Sequence, residues 1–177
     1  LYELPEGWRW VELGKVVESF KNGIYKPLKF YGQGYPCIRM YNIKDGKIDL
    51  KDVKYLEVAK EELEEYGLKP GDIVINRVNA PELVGKAALV PENIGPCTFE
   101  SKNIRVRVKK NIIDPAFLVY FLNSNHGKDQ IRQKVRKAVQ QATINQRDLR
   151  SIKIPLPPLE EQKRIVSRLE ALVSRVE

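Results

Sequence analysis

Histidine, cysteine and long apolar runs are scarce in this chain, and each scarcity excludes a class of protein. The single histidine, His126, cannot form a histidine-based metal centre and gives no basis for a nucleophilic triad. Cys37 and Cys97, the two cysteines, match no metal-binding or redox spacing, so we expect two buried thiols. No apolar run approaches the roughly 20 residues that span a bilayer, and no signal-peptide pattern opens the sequence. We therefore expect a cytoplasmic chain with no membrane partner, metal or cofactor.

The order of the predicted elements indicates the fold class. With 177 residues, 42% of them hydrophobic, the chain can bury one core. Its patterns predict many short strands, then two helices starting at Asp114-Pro115, one further strand, and a terminal helix. Because strands and helices do not alternate as in βαβ units, we expect an α+β domain with a mixed or antiparallel sheet. We place this domain in residues 1–155 and a coiled-coil-type helix in residues 156–177.

Positive charge is concentrated in one part of the chain. The net charge is +8, and the window from Lys128 to Lys153 holds eight basic residues and two acidic ones, a net +6. We predict a basic helix from Lys128 to Ala138, which would carry Lys134, Arg136 and Lys137. A basic stripe of this kind is typical of proteins that bind a phosphate backbone. A solvated charged face, as in heat-adapted proteins rich in lysine and glutamate, would give the same pattern.

Several predicted loops carry side chains that can contact the edges of DNA bases. Arginine and lysine can bind guanine O6 and N7, and asparagine and glutamine can bind adenine N6 and N7. Side chains of these types, with two tyrosines among them, cluster in four loops and predict a DNA interface. The candidates are Lys21, Asn22, Tyr25, Arg39, Tyr41, Asn42, Asn76, Arg77, Asn79, Gln140, Gln141 and Asn145. A solvated loop side chain is the commoner role for any one of them, so the hypothesis depends on the set.

One set of residues allows a nuclease instead. Asp72, Glu100 and Lys102 loosely resemble the two carboxylates and the lysine that hold a catalytic magnesium ion. The Glu-x-Lys pattern arises often by chance in a chain with 31% charged residues, and Asp72 equally suits a turn after Pro70-Gly71. The alternative function is therefore an autonomous magnesium-dependent DNA endonuclease. A third option is a helical assembly adaptor whose basic surface is incidental.

The C-terminal segment predicts a helix with an uncovered apolar stripe. Pro155, Pro157 and Pro158 stop the preceding strand, and Glu160 and Glu161 favour the start of a helix. Beyond them, side chains suited to a buried seam recur at spacings of four and three, as in a heptad. We predict that this seam binds a partner or a second copy through Leu159, Gln162, Val166, Leu169, Val173 and Val176.

Several motifs stand in a fixed order along the chain. They are Leu4–Trp8, Gly34–Arg39, Leu68–Ile75, Val84–Val90, Phe117–Ser124, Ile144–Gln146 and the run IPLPPLEEQKRIV at Ile154–Val166. In this order, and over nearly the whole chain, they resemble the specificity subunits of type I restriction-modification systems. The family usually has a small Gly-Ser/Thr-Thr-Gln turn ahead of Ile144, whereas this chain has Ala138-Val139-Gln140-Gln141.

The resemblance implies a target recognition domain, which reads one half of a split double-stranded DNA sequence and does no chemistry itself. The family delivers partner methyltransferase subunits, which use S-adenosylmethionine, and partner translocase–restriction subunits to the site. Its members carry two recognition domains and two long helices, whereas this chain has one domain and the start of one helix. We therefore expect a half-subunit or a fragment of a longer chain, paired through its C-terminal helix.

Overall fold

Strands and helices are intermixed along residues 1–176, the part of the chain that the structure, a computed structural model, describes. The strands are β1 (Arg9–Glu12), β2 (Val17–Asn22), β3 (Tyr31–Ile38), β4 (Ile43–Lys44), β5 (Lys47–Ile48), β6 (Lys54–Leu56), β7 (Ile73–Asn76), β8 (Val78–Asn79), β9 (Ala87–Leu89), β10 (Thr98–Phe99), β11 (Asn103–Val108), β12 (Arg136–Lys137), β13 (Ala142–Thr143) and β14 (Lys153–Leu156). The helices are α1 (Leu13–Val16), α2 (Lys60–Tyr66), α3 (Pro115–Asn123), α4 (Asn125–Lys134), α5 (Gln146–Arg150) and α6 (Leu159–Val173). Within residues 1–176, none of the helices has the length and apolar character needed to cross a membrane.

A six-stranded sheet in the order β2-β11-β7-β9-β5-β4 forms the centre of the fold. Neighbouring strands are antiparallel except for the parallel pair β5-β9, which confirms the α+β class with a mixed sheet. In β7, Ile73 and Ile75 pack into the main hydrophobic core, while Val74 packs into a second core. Because successive side chains of a strand alternate between faces, this continuous apolar run places β7 between two buried layers.

Three smaller sheets flank the central one. Their strand orders are β10-β3-β6, β12-β13-β8 and β1-β14. The pair β1-β14 is antiparallel and runs from Arg9 opposite Leu156 to Glu12 opposite Lys153. The first strand of the fold and the last one are therefore hydrogen-bonded to each other.

Helix α3 begins at the residue that the sequence predicts. Asp114 Oδ1 accepts hydrogen bonds from Ala116 N at 2.8 Å and from Phe117 N at 3.2 Å. Pro115 occupies the first turn, where its missing N–H costs nothing. The cap satisfies two of the free N–H groups at the helix start, and the helix then buries Phe117 and Leu118 in the main core.

Helix α4 is shorter than the predicted basic helix. It ends at Lys134 rather than at residue 138, because Val135 is extended (φ −69°, ψ 132°) and β12 pairs with β13. Arg136 and Lys137 therefore lie on a strand of a hairpin. The prediction that Lys134, Arg136 and Lys137 share one helix is wrong.

Helix α6 is fastened to the rest of the fold through Gln162. Its Oε1 accepts a hydrogen bond from Asp114 N at 2.8 Å, and its Nε2 donates to the carbonyls of Ile112 at 3.0 Å and Pro157 at 2.9 Å. Gln162 is fully buried, and Val166 belongs to the main core. The prediction that these two side chains face a partner is wrong, because both are occupied within the chain.

The second half of α6 and the turn after it, residues 174–176, expose apolar side chains. Leu172, Val173 and Val176 are 46%, 42% and 88% exposed, whereas Leu169 and Leu159 are half-buried. We call the group Leu169, Leu172, Val173 and Val176 the terminal seam. The residues of the predicted heptad are thus divided between the chain's own core and an open surface.

Replacing Gln162 with leucine should lower the free energy of unfolding by about 1–3 kcal/mol, because the Asp114 N–H and the carbonyls of Ile112 and Pro157 lose their buried partner. Urea unfolding measures the change. Ser167→Ala, on the exposed side of the same helix, is the matched control and should change stability by less than about 0.5 kcal/mol. Equal stability of the two variants would contradict the anchoring role of Gln162.

Candidate nucleic-acid interface

Five segments of the chain meet at one end of the six-stranded sheet. This surface, the loop edge, comprises residues 22–26, 39–42, 76–79, 100–103 and 136–146. Strands β2 and β7 end there and β11 begins there, so that Asn103 lies opposite Asn76 and Ile104 lies opposite Asn22. Gln146 Nε2 donates a hydrogen bond to Asn22 Oδ1 at 3.0 Å across 124 positions of sequence. The four loops selected by residue type are therefore neighbours in space.

Backbone hydrogen bonds join these segments to residues 100–103. Ser101 N donates to the carbonyl of Ile24 at 3.0 Å, and Arg77 N donates to the carbonyl of Lys102 at 2.8 Å. Ile144 N donates in turn to the carbonyl of Arg77 at 3.0 Å. Segment 100–103 is thus the common support of the loop edge.

Buried asparagine side chains hold the same segments together. Asn79 Nδ2 donates to Asn76 Oδ1 at 2.9 Å, Asn76 Nδ2 donates to Asn103 Oδ1 at 3.1 Å, and Asn103 Nδ2 donates to the carbonyl of Ile38 at 3.2 Å. Asn76 and Asn103 are fully buried. The prediction that Asn76 reads a base is wrong for this structure, since its amide is enclosed and already bonded.

Asn42 is the second candidate that the structure removes from the surface. It is 4% exposed, its Oδ1 accepts from Arg39 N at 2.9 Å, and its Nδ2 donates to the carbonyl of Asp49 at 2.8 Å. Asn42 therefore shapes the turn that carries Arg39 and cannot contact DNA from this position.

The other candidates reach the surface to different degrees. Tyr25 is 80% exposed and Tyr41 is 64% exposed. The exposed candidates are Asn22, Tyr25, Tyr41, Arg136, Lys137, Gln140 and Gln141. The half-buried ones are Lys21, Arg39, Arg77, Asn79, Lys134 and Asn145. Five of the half-buried candidates have structural partners. Lys21 pairs with Glu65, Arg39 pairs with Glu100, and Arg77 donates to the carbonyl of Ser101. Asn79 donates to Asn76, and Asn145 caps α5 by accepting from Asp148 N at 2.8 Å.

The hairpin β12–β13 brings positive charge to the loop edge. Arg136 and Lys137 are exposed opposite Thr143 and Ala142. Within the described residues, neither side chain is paired with a carboxylate. Strand β13 also pairs with β8, where Ala142 lies opposite Asn79. The hairpin therefore presents two uncompensated positive charges beside the loops.

The two cysteines are free and buried, which confirms the prediction of two buried free thiols. Burial raises the pKa of the Cys37 thiol to about 12 and that of the Cys97 thiol to about 11. Burial likewise raises the pKa of the Tyr31 phenol to about 12. All three groups therefore stay protonated and uncharged at neutral pH, so the thiols are poor nucleophiles.

The carboxylates of the predicted nuclease site do not meet. Asp72 precedes β7, whereas Glu100 lies at the loop edge beyond the other end of that strand. Each is paired with its own arginine: Arg107 Nε donates to Asp72 Oδ1 at 2.9 Å, and Arg39 Nε donates to Glu100 Oε2 at 3.1 Å. Among residues 1–176, no three or more His, Cys, Asp and Glu side chains are grouped to hold a metal ion. The endonuclease site of Asp72, Glu100 and Lys102 is therefore not supported.

Reasoning from residue type missed the groups that support the loop edge from beneath. Asn103 was not selected, although it opens the alternating strand that continues with Ile104 and Val106. A polar residue at the end of a strand that is otherwise buried is the signal that could have identified it. Glu100 was selected, but as a metal ligand rather than as the partner of Arg39.

Comparison with known proteins gives the family. The family described as the type I restriction modification DNA specificity domain matches residues 5–177. This chain belongs to that family. The loop edge is therefore the candidate DNA-reading surface of a specificity domain.

Individual relatives place the specificity domain within longer proteins. A protein from Methanocaldococcus jannaschii, provisionally named as the specificity subunit of the type I restriction enzyme MjaX, is 36% identical over 168 residues, which are 94% of this chain and 40% of that protein. The HsdS subunit from Thermoanaerobacter tengcongensis is 27% identical with a TM-score of 0.70, and the match covers 99% of this chain and 44% of that one. A chain from a structure describing assembly of a type I restriction-modification system has a TM-score of 0.74 at 27% identity, over 99% of this chain and 40% of that one. This chain spans about two-fifths of the length of these relatives.

Replacing Lys134, Arg136 and Lys137 together with alanine should weaken binding to duplexes of every sequence. Each lost phosphate contact should also reduce the slope of log affinity against log salt by roughly 1. Titration of a fluorescent duplex at several salt concentrations measures the slope.

A triple alanine variant at Lys69, Lys109 and Lys110 is the matched control. These three exposed lysines lie at the end of β11 remote from the loop edge, and removing them changes the net charge by the same amount. The control should keep the original slope. Equal losses of slope in both variants would show that overall charge, rather than the hairpin, controls binding.

Proposed function

We propose that this specificity domain reads one half of a bipartite double-stranded DNA target for a type I restriction-modification system. The proposal is carried by the convergence of the candidate loops on one surface of a chain that matches the specificity family over residues 5–177. Exposed arginine, lysine, tyrosine and glutamine side chains on that surface suit contacts to phosphates and base edges.

The two kinds of contact would come from different parts of the loop edge. Arg136 and Lys137 on the hairpin would bind phosphates and set the register of the domain on the duplex. Segments 22–26 and 39–42, with Tyr25, Arg39 and Tyr41, would contact the bases. Because the loops are held from beneath by buried amides, they would meet DNA in a defined arrangement.

The proposal assigns no catalysis and no cofactor to this chain. Methyltransferase subunits, with their own S-adenosylmethionine, and restriction–translocase subunits would supply the chemistry in the cytoplasm, at the place this domain selects. Relatives are named as specificity subunits of restriction enzymes, which supports a division between the reading subunit and the acting subunits.

The terminal seam would provide pairing with a second helix. Its exposed apolar side chains are Leu172, Val173 and Val176. Burying them against another helix would contribute roughly 25 cal/mol of hydrophobic free energy for every Å² removed from water. A helix of a second copy, or a further helix of a longer chain, would cover them. In this arrangement residues 1–155 read DNA, and residues 156–177 set the distance to a second recognition domain that reads the other half.

Selection of bound duplexes from a random library tests the reading function directly. We expect one short block of fixed bases, or two inverted copies of that block if two chains bind together. Duplexes recovered without shared bases would contradict the proposal. Incubation of the recovered duplexes with the pure protein and magnesium should leave them uncut.

Replacing Leu172, Val173 and Val176 with glutamine should abolish self-association, because the exposed apolar surface that drives it is removed. Sedimentation velocity over a range of concentrations measures the assembly. Ser167→Gln with Arg168→Gln, on the exposed polar side of α6, is the control and should leave assembly intact. If the unaltered protein is monomeric at every concentration, pairing between copies is contradicted.

A further inference from the structure

Arg39 is restrained at the loop edge by a carboxylate and two aromatic rings. Its Nε donates a hydrogen bond to Glu100 Oε2 at 3.1 Å. Its Cζ lies 5.8 Å from the ring centroid of Tyr31 and 5.9 Å from that of Tyr41, within the range of cation–π attraction. The side chain is nevertheless 33% exposed. The guanidinium therefore has a defined place and an open side.

The open side carries the unused hydrogen-bond donors. An arginine has five N–H donors in one rigid plane, and only the donor on Nε of Arg39 has an acceptor among residues 1–176. The remaining four are on Nη1 and Nη2, which together present two parallel N–H groups. Guanine O6 and N7 are the side-by-side pair of acceptors in the major groove that this arrangement matches.

Glu100 is itself fixed in place. It is 7% exposed, its Oε1 accepts from Met40 N at 3.1 Å, and its Oε2 accepts from Arg39. The backbone on either side belongs to the support of the loop edge, since Glu100 N donates to the carbonyl of Ile38 at 3.1 Å and Ser101 N donates to Ile24. The carboxylate is therefore oriented by the fold before any DNA is bound.

We propose that Glu100 is a positioning residue that presets Arg39 for bidentate binding of a guanine in the target. The inference rests on the proposed function, because it names the base contact that this surface makes. A guanine edge is favoured over a phosphate because the carboxylate offsets the positive charge of Arg39. That offset weakens attraction to a phosphate anion, whereas two directed hydrogen bonds to a neutral base edge depend mainly on orientation.

The first test uses the unaltered protein and a duplex recovered by the library selection. Each guanine of the fixed block is replaced in turn by 7-deazaguanine, which lacks the N7 acceptor. Binding should fall roughly 10-fold or more at one position, the loss expected for one hydrogen bond to a charged donor. Arg39→Met, which keeps an apolar side chain but has no hydrogen-bond donor, should remove the dependence on N7 at that position and at no other.

The second test separates positioning from general support. Glutamine at position 100 offers one carbonyl oxygen and one NH₂ group to two donors, so Glu100→Gln should reduce preference for the same guanine roughly 5-fold or more. Affinity for unrelated duplexes should stay equal or rise, because a negative charge is removed. In an Arg39→Met background, Glu100→Gln should cause no further loss at that position.

Asp72→Asn is the matched control, because Asp72 is the other buried carboxylate paired with an arginine but lies away from the loop edge. It should leave base preference unchanged. Tyr41→Leu removes one of the two rings beside Arg39 and should weaken the preference for the same guanine. This variant takes the place of Glu100→Gln in the test if Glu100→Gln does not fold.

Three results would overturn the inference. The first is that no guanine is found at which binding depends on both N7 and Arg39. The second is an equal loss of binding at all positions in Glu100→Gln, and the third is additive effects of the substitutions at Glu100 and Arg39. A library that yields no fixed bases would instead overturn the proposed function, so the two failures are distinguishable.

Discussion

The shape of the loop edge depends on two buried asparagines, Asn76 and Asn103, whose side chains bond to each other at 3.1 Å. Burying an amide without a hydrogen-bond partner costs several times the free energy of folding that a hydrogen-bonded amide contributes. Both residues stand at strand ends, so a one-residue slip of β7 against β11 would leave their donors and acceptors unpaired. The interaction therefore favours one register of β7 against β11 and helps to position the loops that adjoin these two strand ends.

A second buried amide, that of Gln162, joins helix α6 to the body of the fold that carries the loop edge. It links the start of α6 to the residues just ahead of α3 and to Pro157. Helix α3 packs against the central sheet, which carries the loop edge at one end. The direction of α6 is thus set by the same rigid body that carries the loops. A spacer that must hold two reading surfaces at a fixed separation requires such a connection, because a flexible joint would lose the separation.

Local patterns in the sequence were sufficient to predict the elements whose structure depends only on neighbouring residues. The cap at Asp114, the apolar run of β7 and the proline-rich start of α6 all specify structure within a few residues, and each was found. The end of α4 was missed because Arg136 and Lys137 are held as a strand by β13, a contact that no helical pattern encodes. Asn76 was assigned to the surface because residue type does not reveal burial. Gln162 and Val166 fitted a heptad, yet a heptad cannot distinguish the chain's own core from a partner.

The convergence of the four loops was only partly predictable. Each loop follows or precedes a strand, but the order of strands in the sheet decides which strand ends coincide.

The pairing of β1 with β14 affects how easily this fold can be inserted into a longer polypeptide. Residue 9 and residue 156 lie directly opposite each other, so the two ends of the segment between them are adjacent, and helix α6 packs on the same core beyond it. Inserting such a unit into a longer polypeptide adds little loop-closure entropy, since its two attachment points are already adjacent. Duplication, exchange or transposition of the whole unit would preserve its interior.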